Sequence, residues 1–280
     1  MPAGCNVRRS VLALAGMAAL VPAVGLAAGA VSAAGAGEAC DKPVYLTFDT
    51  GHMGVAPLVA EVLRRHRVAV TFFLASERTQ DGGTSLDERW APWWRERAAE
   101  GHAFGSHTWD HEVWLADLPP AADGTPRFRL RPTQGPRAGQ RVEMDAQAYC
   151  EALTRPAERL RAMTGQPMGR IFRAPGGKTS PALLQAASRC GWTHVGWSPA
   201  GFLGDELPSD RYPNQALLDR ALRDIRPGDV LLAHLGIWSR QDAWAPAVLE
   251  PLLAGLRQRG LCFATLRDHP RYGAAARTAA

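Results

Sequence analysis

Val44-Tyr45-Leu46-Thr47-Phe48-Asp49-Thr50-Gly51 is a run of β-branched and aromatic residues that stops at an acid, a hydroxyl and a glycine. That pattern predicts a strand closed by a polar loop. Working outward, residues 56–66 read as a helix and 68–74 as a buried strand. Residues 86–100 read as a helix stopped by Gly101, and 102–106 as a short strand. Further on, helices are predicted at 146–164, 181–190, 214–225 and 245–259, alternating with strands at 171–173, 193–197, 229–233 and 261–266. Such alternation argues for an α/β fold with a mostly parallel sheet flanked by helices, open or closed into a barrel. Residues 117–145 are rich in Pro, Gly and Arg with little apolar periodicity, and are expected to be a long loop excursion.

Composition narrows the function classes. Of the 280 residues 46% are hydrophobic and 21% charged, which excludes global disorder. The net charge of +5 is not gathered into a tract, and Lys42 and Lys178 are the two lysines, so no nucleic-acid partner is expected. Beyond the first 35 residues no apolar run approaches the roughly 20 needed to span a bilayer. At the N-terminus, Arg8-Arg9 precedes a weakly hydrophobic stretch and the small residues Val31-Ser32-Ala33. Residues 1–33 are therefore expected to be a signal peptide, through the twin-arginine route or ordinary secretion. No stable membrane anchor should remain after cleavage, and the remaining domain, 34–280, is expected in the periplasm or outside the cell. Four cysteines then remain, Cys40, Cys150, Cys190 and Cys262. If the strands near Cys40 and Cys262 are neighbours in a closed sheet, those two bridge and Cys150–Cys190 is the other pair; four buried thiols are the alternative.

Functional groups in such folds gather on loops after the carboxyl ends of strands. Asp49, His107, His111, Arg173 and His234 all stand at predicted strand ends. His107-Thr108-Trp109-Asp110-His111 places two imidazoles four residues apart, on one face if the segment makes a helical turn. Imidazole suits zinc, with cobalt, nickel and iron as alternatives, over magnesium or calcium.

These residues carry a resemblance. Thr47-Phe48-Asp49-Thr50-Gly51 resembles the first motif of the polysaccharide deacetylases, carbohydrate esterase family 4 with its NodB-homology domain. Ser106-His107-Thr108-Trp109-Asp110-His111 is similar to the second motif. Phe172-Arg173-Ala174-Pro175-Gly176-Gly177 is similar to the third, and Leu232-Ala233-His234 to the fifth. The resemblance runs from about residue 44 to 266 and implies a single-domain, distorted parallel (β/α) barrel. It also implies metal-assisted hydrolysis of acetyl groups on a glycan such as peptidoglycan or an exopolysaccharide. Carried over residue by residue, His107 and His111 hold a divalent metal, Asp49 is the general base, Arg173 orients it, and His234 is the general acid. The backbone N–H after Asp49 is a candidate oxyanion donor. Pro175, Gly176 and Gly177, with Trp109 and Trp238, are candidates for substrate contact.

Two departures stand out. The family carries a second aspartate after the first, and here Thr50 takes that place; Thr50 and His52 are then weak candidates for a third metal ligand. The fourth motif, Trp197-Ser198-Pro199-Ala200, lacks its acid. Asp205 lies further along and reads as an exposed loop residue, with support of His234 as the alternative. These changes leave two competing functions: a catalytically weakened glycan-binding protein on the same fold, and an amidase acting on a small non-sugar C–N substrate.

Overall fold

The computed structural model describes residues 40–280. The expected signal peptide lies outside the described residues. Strand β1 (Pro43–Asp49) is buried along almost its whole length, as a central parallel strand must be. Helix α1 (Ala56–His66) opens with a proline in its first turn and ends on Arg64, Arg65 and His66, where cations oppose the helix dipole. Then follow β2 (Thr71–Leu74), α2 (Ala91–Ala99) and β3 (Ala103–Ser106). After the excursion come α3 (Ala146–Thr164), whose N-cap Asp145 accepts from Ala148 N–H at 2.8 Å and which ends at left-handed Gly165, and β7 (Ile171–Phe172). Between β3 and α3 lie three further strands: β4 (Glu112–Leu118), β5 (Arg127–Pro132) and β6 (Val142–Asp145). Helix α4 (Pro181–Arg189) is capped by Ser180 and leads to β8 (Thr193–His194). The chain finishes with α5 (Asn214–Asp224), β9 (Val230–His234), α6 (Leu249–Gln258), β10 (Cys262–Phe263) and α7 (Gly273–Arg277).

The parallel sheet runs β10-β1-β2-β3-β7-β8, and β9 also pairs β1. A further parallel bridge, Phe202 to Leu232, joins the segment after β8 to β9, so the sheet curls round on itself with helices outside. This is the distorted (β/α) barrel that the sequence implied. The chain turns back where β1 and β9 end because the loops there are glycines. A Cβ on Gly51 would stand 2.1 Å from the Gly236 carbonyl oxygen, and His52 N–H donates to that same oxygen. One correction concerns 117–145. This stretch is a three-stranded antiparallel sheet, β4-β5-β6, and not an irregular loop. Its alternation is legible only once the inward set of Phe128, Leu130, Val142 and Met144 is seen packing on the main core, because the outward positions are Arg and Glu.

Buried Trp94 packs edge-on against Phe72 and Phe104, Trp93 against Phe72 and Trp94, and Trp90 against Trp93, so these tryptophans serve packing. Both disulfides form as the neighbouring-strand reading required. Cys40–Cys262 follows from the β1–β10 pairing of Pro43 with Cys262, and Cys150–Cys190 ties α3 to the end of α4. Among the described residues no helix is long and apolar enough to cross a membrane.

Candidate active site

Parallel register assembles the site. Asp49, the last residue of β1, is level with His234, the last of β9, and with Phe73 of β2 on its other side. Leu74 is level with Ser106, and Ser106 with Phe172, so His107 and Arg173 each emerge one step past the same rim. Asp49, His107, His111, Arg173 and His234 thereby converge around one carboxylate.

The centre of the group is Asp49, 2% exposed. Its Oδ1 accepts from Arg173 Nη1 at 2.7 Å, and its Oδ2 lies 3.4 Å from His107 Nε2. Arg173 is wholly buried; it also donates to the Val195 and Gly196 carbonyls and lies over the Phe73 ring. Burial alone would raise the Asp49 pKa, but Arg173, His107 and His234 outweigh it and hold the carboxyl below its ordinary value. The carboxylate is therefore ionised and oriented.

The two histidines of the second motif meet by a route other than a helical turn. Residues 107–111 contain no helix; Thr108 (φ 59°) and His111 (φ 52°) are left-handed. For a β-branched threonine that conformation costs on the order of 1–3 kcal/mol, a strain concentrated at the site. The resulting kinks bring the two rings to 4.8 Å between centroids. His107 Nδ1 bonds the Arg173 carbonyl at 2.8 Å and His111 Nδ1 bonds Thr133 Oγ1 at 2.7 Å. With the carbonyl fixing the His107 tautomer, the Nε2 faces are left to bind a cation, the arrangement that metal-bound imidazoles use. Burial pushes both histidines down to about 4, so both are neutral and able to ligate. Two neutral imidazoles are donors suited to a divalent metal, and among the described residues no three His, Cys, Asp or Glu side chains are gathered to hold one.

His234 is the opposite case. Its Nδ1 lies 3.1 and 3.2 Å from the two Asp205 oxygens, and its backbone N–H donates to Asp205 Oδ2 at 2.6 Å. Burial would lower its pKa, yet the charge and hydrogen bond of Asp205, with Asp49 and Glu206 behind them, lift it to about 9. Asp205 is 4% exposed, so the reading of it as an exposed loop residue is corrected. It holds His234 from a position displaced along the chain from the altered fourth motif.

The weaker candidates separate. Thr50 Oγ1 donates to Glu77 Oε1 at 2.9 Å and accepts from Ala75 N–H at 3.0 Å. Thr50 N–H is committed to the Phe73 carbonyl in the sheet, which removes it as an oxyanion donor. His52 Nδ1 accepts from Gly54 N–H, and its ring stands edge-on to Trp238, 5.2 Å away. His52 thus lines a cavity of about 150 Å³ beside His234, Asp205 and Trp244 rather than joining the His107–His111 pair. Of the substrate candidates, Pro175 is buried. Gly176 (φ 63°) and Gly177 (φ 66°) make a turn whose second glycine lies against Trp197; a Cβ there would sit 2.5 Å from that ring. Trp238 is 54% exposed beneath Arg78, free to meet a ligand face. Trp109 instead stacks under Arg155 at 4.2 Å and packs on the core.

Two acids at this rim went unnoticed in the sequence. Burial raises the Glu77 carboxyl, against the pull of His107, Thr50 and His234; burial also raises Glu206, against His234. Glu77 stands three residues past the end of β2, a strand-end position that the rule applied elsewhere would have flagged. Glu206 follows Asp205 in a loop that no motif marked.

With this geometry in view, the chain can be set beside known proteins. A model of the polysaccharide deacetylase family matches residues 36–195. A chitooligosaccharide deacetylase of Azorhizobium caulinodans is 27% identical over 233 residues, covering 80% of this chain and 92% of that protein. A peptidoglycan-N-acetylmuramic acid deacetylase of Bacillus subtilis is 25% identical, covering 83% and 73%. A family 4 acetyl xylan esterase from Clostridium thermocellum, solved with a cobalt ion, shares the fold with a TM-score of 0.58 at 21% identity, covering 81% of this chain and 89% of that one.

Proposed function

This chain belongs to the polysaccharide deacetylase family, and we propose on that footing that it is an exported hydrolase removing acetyl groups from an amino sugar of peptidoglycan or a chitin-like polymer. One observation carries the reading: an Arg173-clamped Asp49 lies against His107, and on the same rim His234 is held by Asp205, whose charge favours the imidazolium. A pure glycan binder has no use for an acid and a base held in opposite protonation states. Export is supported by two disulfides, which persist in oxidising compartments.

His107 and His111 would hold a divalent metal, with zinc suited to their nitrogens. When bound, the metal supplies Lewis acidity that polarises the acetyl carbonyl and acidifies water. Asp49 takes the proton of the attacking water on the oxygen that Arg173 leaves free. Arg173 keeps that carboxylate aligned through the cycle. As the C–N bond breaks, His234 gives its Nε2 proton to the departing amine, while Asp205 on Nδ1 holds the ring and its charge. Acetate and the free amino sugar result. The exposed face of Trp238 suits the apolar face of a pyranose.

The test is elemental analysis of the purified mature protein, together with acetate release from chitooligosaccharides and N-acetylated peptidoglycan fragments. One bound metal per chain is expected, lost in His107→Ala/His111→Ala along with turnover. A double variant that retains its metal, or a metal-loaded wild type that frees no acetate from either substrate class, would defeat the proposal.

A further inference from the structure

We propose that Glu77, delivered by the loop after β2, is the third protein ligand of the His107–His111 metal site, replacing the carboxylate that position 50 does not carry. The inference rests on the metal-site reading above and assigns a ligand to it. In this chain residue 50 ends in a hydroxyl, a poor ligand for a borderline cation beside a carboxylate. That hydroxyl is not idle. Thr50 Oγ1 donates to Glu77 Oε1 at 2.9 Å, so a carboxylate sits one hydrogen bond from the place where the acid is missing.

The loop holds Glu77 there by its backbone. Glu77 N–H donates to Ser85 Oγ at 3.1 Å, and Glu77 carbonyl accepts from Ser85 N–H at 2.8 Å. Ser85 is itself fully buried and donates to the Ala75 carbonyl, and Ala75 N–H donates to Thr50 Oγ1. Thr50, Ala75, Glu77 and Ser85 therefore form a closed ring of hydrogen bonds that fixes where the Glu77 side chain starts. The second oxygen, Oε2, takes no hydrogen bond among the described residues and is the one left to ligate. Among those residues no three His, Cys, Asp or Glu side chains are already gathered as a metal-ligand set. Ligation therefore needs the Glu77 side chain to turn from Thr50 toward the His107–His111 pair. Two imidazoles and one glutamate make a set that catalytic zinc sites use, with a fourth position open for water or substrate. His52, the other group near Thr50, is tied to Gly54 N–H and packed on Trp238, and so does not compete.

The experiment uses the full mature protein stripped with chelator and titrated with Co²⁺, following binding by calorimetry and the visible absorption of the bound ion. Glu77→Gln should weaken Co²⁺ binding at least tenfold and change the absorption spectrum, while circular dichroism and the melting temperature stay near wild type. Thr50→Asp should raise affinity markedly more in the Glu77→Gln background than in the wild type, where Glu77 already supplies the carboxylate; equal gains in both backgrounds would mark the role of Glu77 as merely structural and overturn the assignment. Wild-type binding unchanged in Glu77→Gln, with the same spectrum, overturns the assignment of Glu77 alone. A wild-type protein that binds no Co²⁺ overturns the metal-site reading as well, so the two failures are distinguishable.

Discussion

Asp205→Asn isolates the acid half of the site. Asp205 meets His234 twice, at the imidazole Nδ1 and at the backbone N–H. Asparagine keeps an oxygen for the backbone but removes the negative charge. His234 stands at about 9 against an ordinary imidazole near 6.5. That difference corresponds to about 3 kcal/mol in favour of the imidazolium. With Asp205 neutral, burial pulls the pKa down against the weaker support of Asp49 and Glu206, so it should fall to about 7.5 or below. At pH 8 the protonated fraction then drops from about nine-tenths to about a quarter or less, and the rate of acetate release should fall at least about 4-fold beyond any loss seen at pH 6. Stability offers a second readout that needs no substrate. A raised pKa contributes stability fully below the unfolded-state value near 6.5 and loses it as pH rises through about 9. The gap in melting temperature between wild type and Asp205→Asn should therefore be widest near pH 6 and close by about pH 10. Rate profiles with the same basic limb in both proteins, or a melting gap that does not change with pH, would refute the assignment of Asp205 as the group that keeps His234 charged.

Two further perturbations follow from the same structure. Asp49→Asn should lower acetate release by at least about a hundredfold, measured at saturating metal. The structure also predicts a cost in stability. The substitution leaves the wholly buried Arg173 without its counter-ion, a loss of about 3–5 kcal/mol and a melting temperature lower by roughly 6–20 °C in thermal denaturation. Removing the disulfides should also show in thermal melts. The cross-links span 222 and 40 residues, and the chain-entropy model gives about 5 and 4 kcal/mol respectively. Cys150→Ser/Cys190→Ser with an unchanged melting temperature would contradict that account.

The sequence by itself settled what local chemistry can settle. Buried strands, helix caps and strand-end polar residues are written in short windows, so the α/β alternation and helices such as α1 and α3 were legible to the residue. The order of the strand-end groups placed Asp49, His107, Arg173 and His234 on one rim because parallel strands all point their carboxyl ends the same way. What tertiary structure decided was everything that depends on contacts between segments distant in sequence. The half-apolar strands β5 and β6 take their identity from the core they cover, which no local window contains. The His107–His111 pair meets through two left-handed residues, a conformation that its own threonine and histidine disfavour and only the surrounding fold can impose. Asp205 and Glu77 are carboxylates in loops with no motif around them. They became functional candidates when folding set each one against a partner on the rim, His234 or Thr50, rather than leaving them as ordinary surface acids.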